Sequence, residues 1–222
     1  MQHGFRHEYK YLISREAAEL LKRRLPAMMA RDPHAGKSGQ YTIRSLYFDD
    51  PRFSAYAEKM DGIRDREKFR LRCYNYDTSF IRLEKKEKIG ELTRKTAQTV
   101  TEETVRRWQS GDCSASAEGE FLQEFRLKMA GGLRAAVLVD YDRTPFVCNA
   151  GQTRITLDEN IRTRPYAPDL WAPHTAMVPV LEPGQVVLEV KFNDFLPGYL
   201  GLEDIPKVHL AVSKYVLCTN LL

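Results

Sequence analysis

The sequence predicts an α+β fold, an eight-stranded antiparallel β-tunnel closed as a barrel, with helices around its outside. Three observations predict it. Several segments alternate charged and apolar residues with period two, as strands with unlike faces do. The helical segments flank the strands without alternating regularly with them, which disfavours a parallel α/β sheet. The charged faces carry Lys, Arg and Glu, so a sheet closed with those faces inward leaves its apolar faces free to pack on helices.

Residues 5–13 alternate and carry Tyr and Ile, reading as a first strand, and Ser14 caps a helix over 14–31 with Leu20, Leu21 and Leu25 on one face. Residues 32–39 read as a loop and 41–49 as a strand. Pro51 opens a short helix that carries Phe53, Tyr56 and Met60 and ends before Gly62. Residues 66–74 and 80–87 alternate across a polar loop at 75–79 and read as a hairpin, with 95–100 as a short partner strand. Thr101 caps a helix to about Ser110, and a second helix over 118–130 stops at Gly131-Gly132. Strands return at 135–143, 153–158 and 185–193. The Pro-rich stretch 165–183 reads as a surface loop, and a final helix spans 208–217.

A length of 222 residues suits a single domain over 1–222, and no linker divides it. Hydrophobic residues at 43% and charged residues at 29% exclude a disordered chain. A net charge of +4 is too small for a protein that coats nucleic acid, so the placement of the cations matters more than their number. Cys73, Cys113, Cys148 and Cys218 have neither zinc-site nor disulfide-framework spacing, as expected of reduced thiols. MQHGFRHEYKYLIS has no apolar signal core, and no stretch approaches a membrane span. The expectation is a soluble, cytoplasmic protein without direct membrane insertion.

Sorting each strand by parity gathers the candidate site. Lys68, Arg70 and Arg72 share one face, opposite Phe69, Leu71 and Cys73; Arg82, Glu84 and Lys86 share another, opposite Ile81 and Leu83. Glu8 goes with Lys10, Arg154 with Thr156 and Asp158, and Glu189 with Lys191. One such strand alone reads as an amphipathic edge with its charges in water; five together favour a shared, wet, cationic interior. Arg forks match pairs of phosphate oxygens and Lys supplies point charges, so the lining suits a polyphosphate better than a monocarboxylate. Glu8, Glu84 and Glu189 can hold Mg²⁺ or Mn²⁺ beside phosphates, or serve as salt-bridge partners of the surrounding cations.

Other motifs fail. Gly36-Lys37-Ser38 resembles the end of a P-loop, but the first glycine of that motif would fall at Arg31, inside the predicted helix. His7-Glu8 lacks a second histidine four residues after the first; His3, His34, His174 and His209 stand in unrelated contexts, and no serine has a nucleophile-elbow setting. Asp49-Asp50 before proline reads as a turn or helix cap.

RHEYKY at 6–11, SLYFDDP at 45–51, KFRLRCY at 68–74, LEKKEK at 83–88, DYDRTPF at 140–146, TRITLDEN at 153–160, LEVKF at 188–192 and SKY at 213–215 follow in an order that resembles the VTC domain. This is the polyphosphate polymerase domain of the vacuolar transporter chaperone family, within the CYTH-like triphosphate tunnel metalloenzyme superfamily. The resemblance covers nearly the whole chain. It implies a phosphotransferase that binds a triphosphate with a divalent metal and transfers the terminal phosphoryl group. Matched motif by motif, it implies phosphate binding by Lys10, Arg70, Arg72, Lys86, Lys95, Arg143, Arg154 and Lys214, with Glu189 as the principal metal ligand. Lys95, Arg143 and Lys214 enter mainly through the resemblance, Lys214 reaching in from the last helix. Superfamily hydrolases tend to begin with Glu-x-Glu-x-Lys, whereas the first of those positions is Arg6 here. That departure suits the VTC branch better than a tripolyphosphatase or adenylate cyclase.

The expected activity is a metal-dependent polyphosphate polymerase that moves the γ-phosphoryl of ATP onto a polyphosphate chain. Arg70, Arg72, Lys86 and Arg154 clamp phosphates, Lys68 and Lys191 add charge, and Glu189, with Glu8 and Glu84, carries Mn²⁺ or Mg²⁺. The alternatives are a triphosphatase of the same fold and a non-catalytic polyphosphate-binding module. RNA binding fits less well, because few aromatics interleave the basic faces.

Overall fold

The computed structural model describes residues 7–90, 92–112, 118–164, 168–172, 176–211 and 213–221. Arg6, His3, Cys113, His174 and parts of the loop at 165–183 lie outside the described residues. The elements are β1 (His7–Ser14), α1 (Arg15–Arg24), β2 (Ala30–Arg31), β3 (Tyr41–Asp49), α2 (Ser54–Met60), β4 (Arg66–Tyr74), β5 (Asp77–Ile89), β6 (Leu92–Val100), α3 (Glu102–Gln109), α4 (Glu120–Ala130), β7 (Arg134–Cys148), β8 (Thr153–Arg164), β9 (Val178–Pro179), β10 (Gln185–Phe192), β11 (Val208–His209) and α5 (Lys214–Thr219).

The fold is α+β with a mostly antiparallel sheet, but neither the strand number nor the closure is as predicted. The sheet has eleven strands, in the hydrogen-bonded order β11-β1-β10-β8-β7-β3-β4-β5-β6, with β2 on β7 and β9 on β8. This path ends at β11 and β6, which do not pair, so among the described residues the sheet is not closed into a barrel. The eight longer strands are those read from the sequence. The three additional ones, β2, β9 and β11, have two residues each, too few to show a period.

The chain forms two compact units, one of Met1–Thr42, Asp140–Arg162 and Pro179–Ser213, the other of Ile43–Val139, Thr163–Val178 and Lys214–Leu222. In the first, α1 lays Ala18 and Leu21, followed by Leu25, on Ile155, Leu157, Leu188 and Val190. Each Leu, Ile or Val among them, fully buried, contributes about 1.5–3 kcal/mol. Ser14 caps this helix, its Oγ accepting from the Ala17 amide at 3.2 Å. The helix ends at Arg24, earlier than predicted. Pro26 cannot donate to an α-helical ladder, and Leu25–Ala27 tightens into a 3-10 turn that leads to β2. Leu20, predicted on the same face as Leu21 and Leu25, instead points away from them and is exposed.

In the second unit Leu46, Phe48, Phe69, Leu71, Ile81 and Leu83 pack on Val105 and Trp108 of α3 and Leu122 and Phe125 of α4. The β4–β5 hairpin turns through Asn75 and Tyr76, both with positive φ (51° and 60°), as a tight two-residue hairpin turn requires. This lets β5 start at Asp77, three residues before the predicted strand. Helix α2 starts at Ser54, after Pro51, because the Asp50 carboxylate turns the chain by accepting from the Arg52 and Ser54 amides. The predicted final helix over 208–217 is instead β11 followed by the short α5. No described helix is long and apolar enough to cross a membrane.

Candidate functional site

In the second unit, β4 and β5 present the predicted polar face. Arg70 pairs with Glu84 across the ladder and Arg72 with Arg82, while Lys68 stands opposite Lys86 and Lys86 opposite Lys95 of β6. Glu84 sits at the centre, 3% exposed, with Arg70 Nε at 2.7 Å, Lys95 Nζ at 2.5 Å and Arg72 Nη1 at 3.9 Å. Burial alone would raise the Glu84 carboxyl, but Arg70, Arg72 and Lys95 hold it far below the usual carboxylate range. One carboxylate thus fixes three cations in a cluster that retains net positive charge. Lys95 has a side chain 48% exposed, yet its ammonium meets this buried carboxylate. Burial, reinforced by Arg70 and Arg72, pushes it down to about 8 against the pull of Glu84.

β3 completes this face with residues that strand parity alone does not single out. Ser45 Oγ accepts from Arg72 Nε at 3.2 Å, and the Tyr47 hydroxyl accepts from Arg70 Nη1 at 2.9 Å. Burial would raise the Tyr47 phenol, but Arg70, Arg72 and Lys214 hold it below its ordinary value. Lys214, predicted to act from the last helix, is buried at the start of α5. The next residue, Tyr215, donates from its hydroxyl to the buried Asp49 carboxylate and lies under the Lys68 ammonium, 5.1 Å from its ring centre. Asp49 also accepts from the amides of Asp50, Ala55 and Tyr56, so the predicted cap holds α2 and α5 together.

In the first unit, a second polar face is built from β1, β10, β8 and β7. Lys10 pairs with Glu8 at 2.7 Å, and Lys191 donates to Glu189 at 3.0 Å. Arg143 grips the fully buried Asp158 with two bonds of 2.6 and 2.7 Å and reaches Glu189 at 3.3 Å. Burial opposes a charged Arg143, but Asp158 outweighs it and holds the guanidinium protonated. Burial, with Arg143 beside it, keeps Lys191 below the usual ammonium range despite Glu189 and Glu8. Arg154 is pinned at its Nη2 by Asp32 at 2.8 Å and the Tyr41 hydroxyl at 3.1 Å. Asp32 and Tyr41 were not among the predicted site residues. They come from a loop and a strand end without a charge pattern, and no local signal marks them.

Among the described residues no three His, Cys, Asp or Glu side chains gather into a metal-holding group. Glu8 stands opposite Lys191 and Glu189 opposite Lys10, so the two carboxylates are diagonal neighbours on one face. Two hard oxygen donors so placed fit a small divalent ion that completes its shell with water and phosphate oxygens. Glu84 does not fit that role, because its oxygens are taken by three cations in a buried setting. The sequence reading of Glu84 as a metal ligand gives way to its salt-bridge alternative.

Across residues 5–222 the chain matches the model of the VTC domain. It belongs to the VTC domain family. Among solved structures, this VTC domain resembles a candidate adenylate cyclase from Bacillus halodurans, with a TM-score of 0.49 and 15% identity over 90% of this chain and 87% of the other. Proteins PH1012 and PH1819 of Pyrococcus horikoshii OT3 also align. PH1012 gives a TM-score of 0.49 at 14% identity, covering 96% of this chain and 99% of its own. PH1819 gives 0.47 at 12%, covering 95% and 97%. All three scores lie below 0.5, and membership of the family rests on the sequence match. No curated protein matches the chain.

Proposed function

We propose that this VTC domain is a phosphotransferase, a metal-dependent polyphosphate polymerase that takes the γ-phosphoryl group of ATP onto a polyphosphate chain. The observation that carries the reading is the cluster of Arg70, Arg72 and Lys95 held around the single buried carboxylate of Glu84. Pre-fixed cations lose little freedom on meeting an anion, and phosphoryl transfer depends chiefly on positioning and charge stabilisation. Arg70 and Arg72 offer guanidinium forks to phosphate oxygens, while Lys86, Lys68 and Lys214 add positive potential on the same unit. In the first unit Lys10, Arg143, Arg154 and Lys191 bind phosphate oxygens, and Asp158 keeps Arg143 oriented. Glu189 and Glu8 would hold Mn²⁺ or Mg²⁺, which when bound neutralises phosphate charge. ATP is a cytoplasmic metabolite, so the reading carries a cytoplasmic location with it.

Incubation with ATP and Mn²⁺, followed by gel and ³¹P analysis, should yield long phosphate chains. Orthophosphate alone would assign a triphosphatase, and tight triphosphate binding without any product would assign a binding module. The Glu189→Ala variant should lose turnover while retaining triphosphate binding in a chelator.

A further inference from the structure

Two buried donor atoms on β8 have no hydrogen-bond partner among the described residues: Arg154 Nε and Thr156 Oγ1. Period-two geometry puts Arg154, Thr156 and Asp158 on one face of the strand, and the register sets Thr156 opposite Glu189 and Arg154 opposite Lys191. Thr156 is 2% exposed, so water does not readily solvate its hydroxyl. The distal end of Arg154 is already committed to Asp32 and Tyr41, which fixes its guanidinium while its Nε stays unpaired. An unpaired buried hydroxyl destabilises a fold relative to an apolar group of the same shape, and valine has that shape. The carboxylates that neighbour Thr156 on this face, Asp158 two residues along β8 and Glu189 opposite, are gripped by Arg143 and Lys191.

Resting on the function proposed above, we infer that Thr156 is a further substrate-binding residue, its hydroxyl donating, beside Arg154 Nε, to a non-bridging oxygen of a bound phosphate group. Neighbouring side-chain donors on one strand face suit a tetrahedral oxyanion, and the adjacent Lys191 and Arg143 supply its counter-charge. The hydroxyl adds no charge, so its contribution is directional. A phosphate oxygen satisfies an atom that the fold itself leaves unsatisfied.

The test uses Thr156→Val and Thr156→Ser in the full chain, titrated calorimetrically with inorganic tripolyphosphate in a chelator, with thermal unfolding measured in parallel. Thr156→Val should raise Kd about tenfold, the usual effect of losing one hydrogen bond to a charged group. Its Tm should be equal to or above that of the unaltered protein, because an unsatisfied polar atom has gone. Thr156→Ser should restore the affinity. A Thr156→Val Kd within about twofold of the parent, or a Thr156→Ser as weak as the valine variant, would overturn the inference. A Tm that falls by several degrees in Thr156→Val would assign the hydroxyl to the fold and overturn it equally. If the unaltered chain does not bind tripolyphosphate, the functional reading fails and takes this one with it, an outcome separate from failure at Thr156 alone.

Discussion

Lys95 gives the phosphate-binding reading a pH signature. Burial and the guanidinium groups of Arg70 and Arg72 push its ammonium down to about 8 against the pull of Glu84. A bound polyanion favours the protonated form and raises this value in the complex. Affinity is therefore complete below pH 8 and is lost as pH rises through 8 towards the pKa of the complex. One proton linked in this way changes Kd by about tenfold between pH 7 and 9, or ~1.4 kcal/mol. The 48% exposure of the side chain admits solvent screening, so the expected change is about threefold to tenfold. The assay is calorimetric titration with tripolyphosphate at constant ionic strength, comparing the parent with Lys95→Arg, which keeps its charge throughout. Titration of the ligand's own terminal phosphates is common to both proteins and cancels in the ratio of their Kd values. That ratio should change across pH 7–9. A ratio that stays constant would refute the reasoning and remove Lys95 from the phosphate-binding cluster.

Three further outcomes follow from the same geometry. Asp158→Ala leaves Arg143 buried without its two-bond partner and should cost roughly 3–5 kcal/mol in urea unfolding, with the Arg143→Met/Asp158→Leu pair recovering much of it. Tyr215→Phe removes the donor to buried Asp49 and should lower Tm by roughly 2–8 °C in calorimetry. Glu84 has a depressed folded pKa, so its stabilisation is full above about pH 4.5, begins to fall below it, and is lost completely only as pH drops through the folded value. The stability gap between the parent and Glu84→Gln should therefore be wider at pH 6 than at pH 3.

How much of this was legible depends on what each strand faces. β4 and β5 separate polar from apolar side chains, and parity places Arg70, Arg72 and Glu84 on one side and Phe69, Leu71, Ile81 and Leu83 on the other, as the structure has them. β3 hides its face because it is buried on both sides: Leu46 and Phe48 enter the core, while Ser45 and Tyr47 meet the arginines. Its segment Leu46-Tyr47-Phe48 is apolar without a break, and nothing local distinguishes Tyr47 from Phe48. β8 runs past the predicted end at 158 because Asn160 takes a positive φ of 50° inside the strand, where Glu-Asn reads as a turn. β11 and α5 were merged into one helix because a two-residue strand has no period of its own.

Carboxylates among cations mark the limit of sequence reasoning. Parity puts Glu84 and Glu189 in similar company, each flanked by Lys and Arg on its own strand and the next. Distance and burial separate them. Glu84 is shared among Arg70, Arg72 and Lys95 with 3% of its side chain exposed, so withdrawing it to coordinate a metal would take the shared counter-charge from three cations. Glu189 is held by Arg143 and Lys191, but Arg143 keeps its stronger grip on Asp158, so release of Glu189 leaves that guanidinium paired. Glu8 lies diagonally beside it, paired with Lys10 at 2.7 Å. A metal requirement that survives Glu84→Gln and is lost in Glu189→Gln would follow from this difference, whereas loss in Glu84→Gln alone would reverse the two roles.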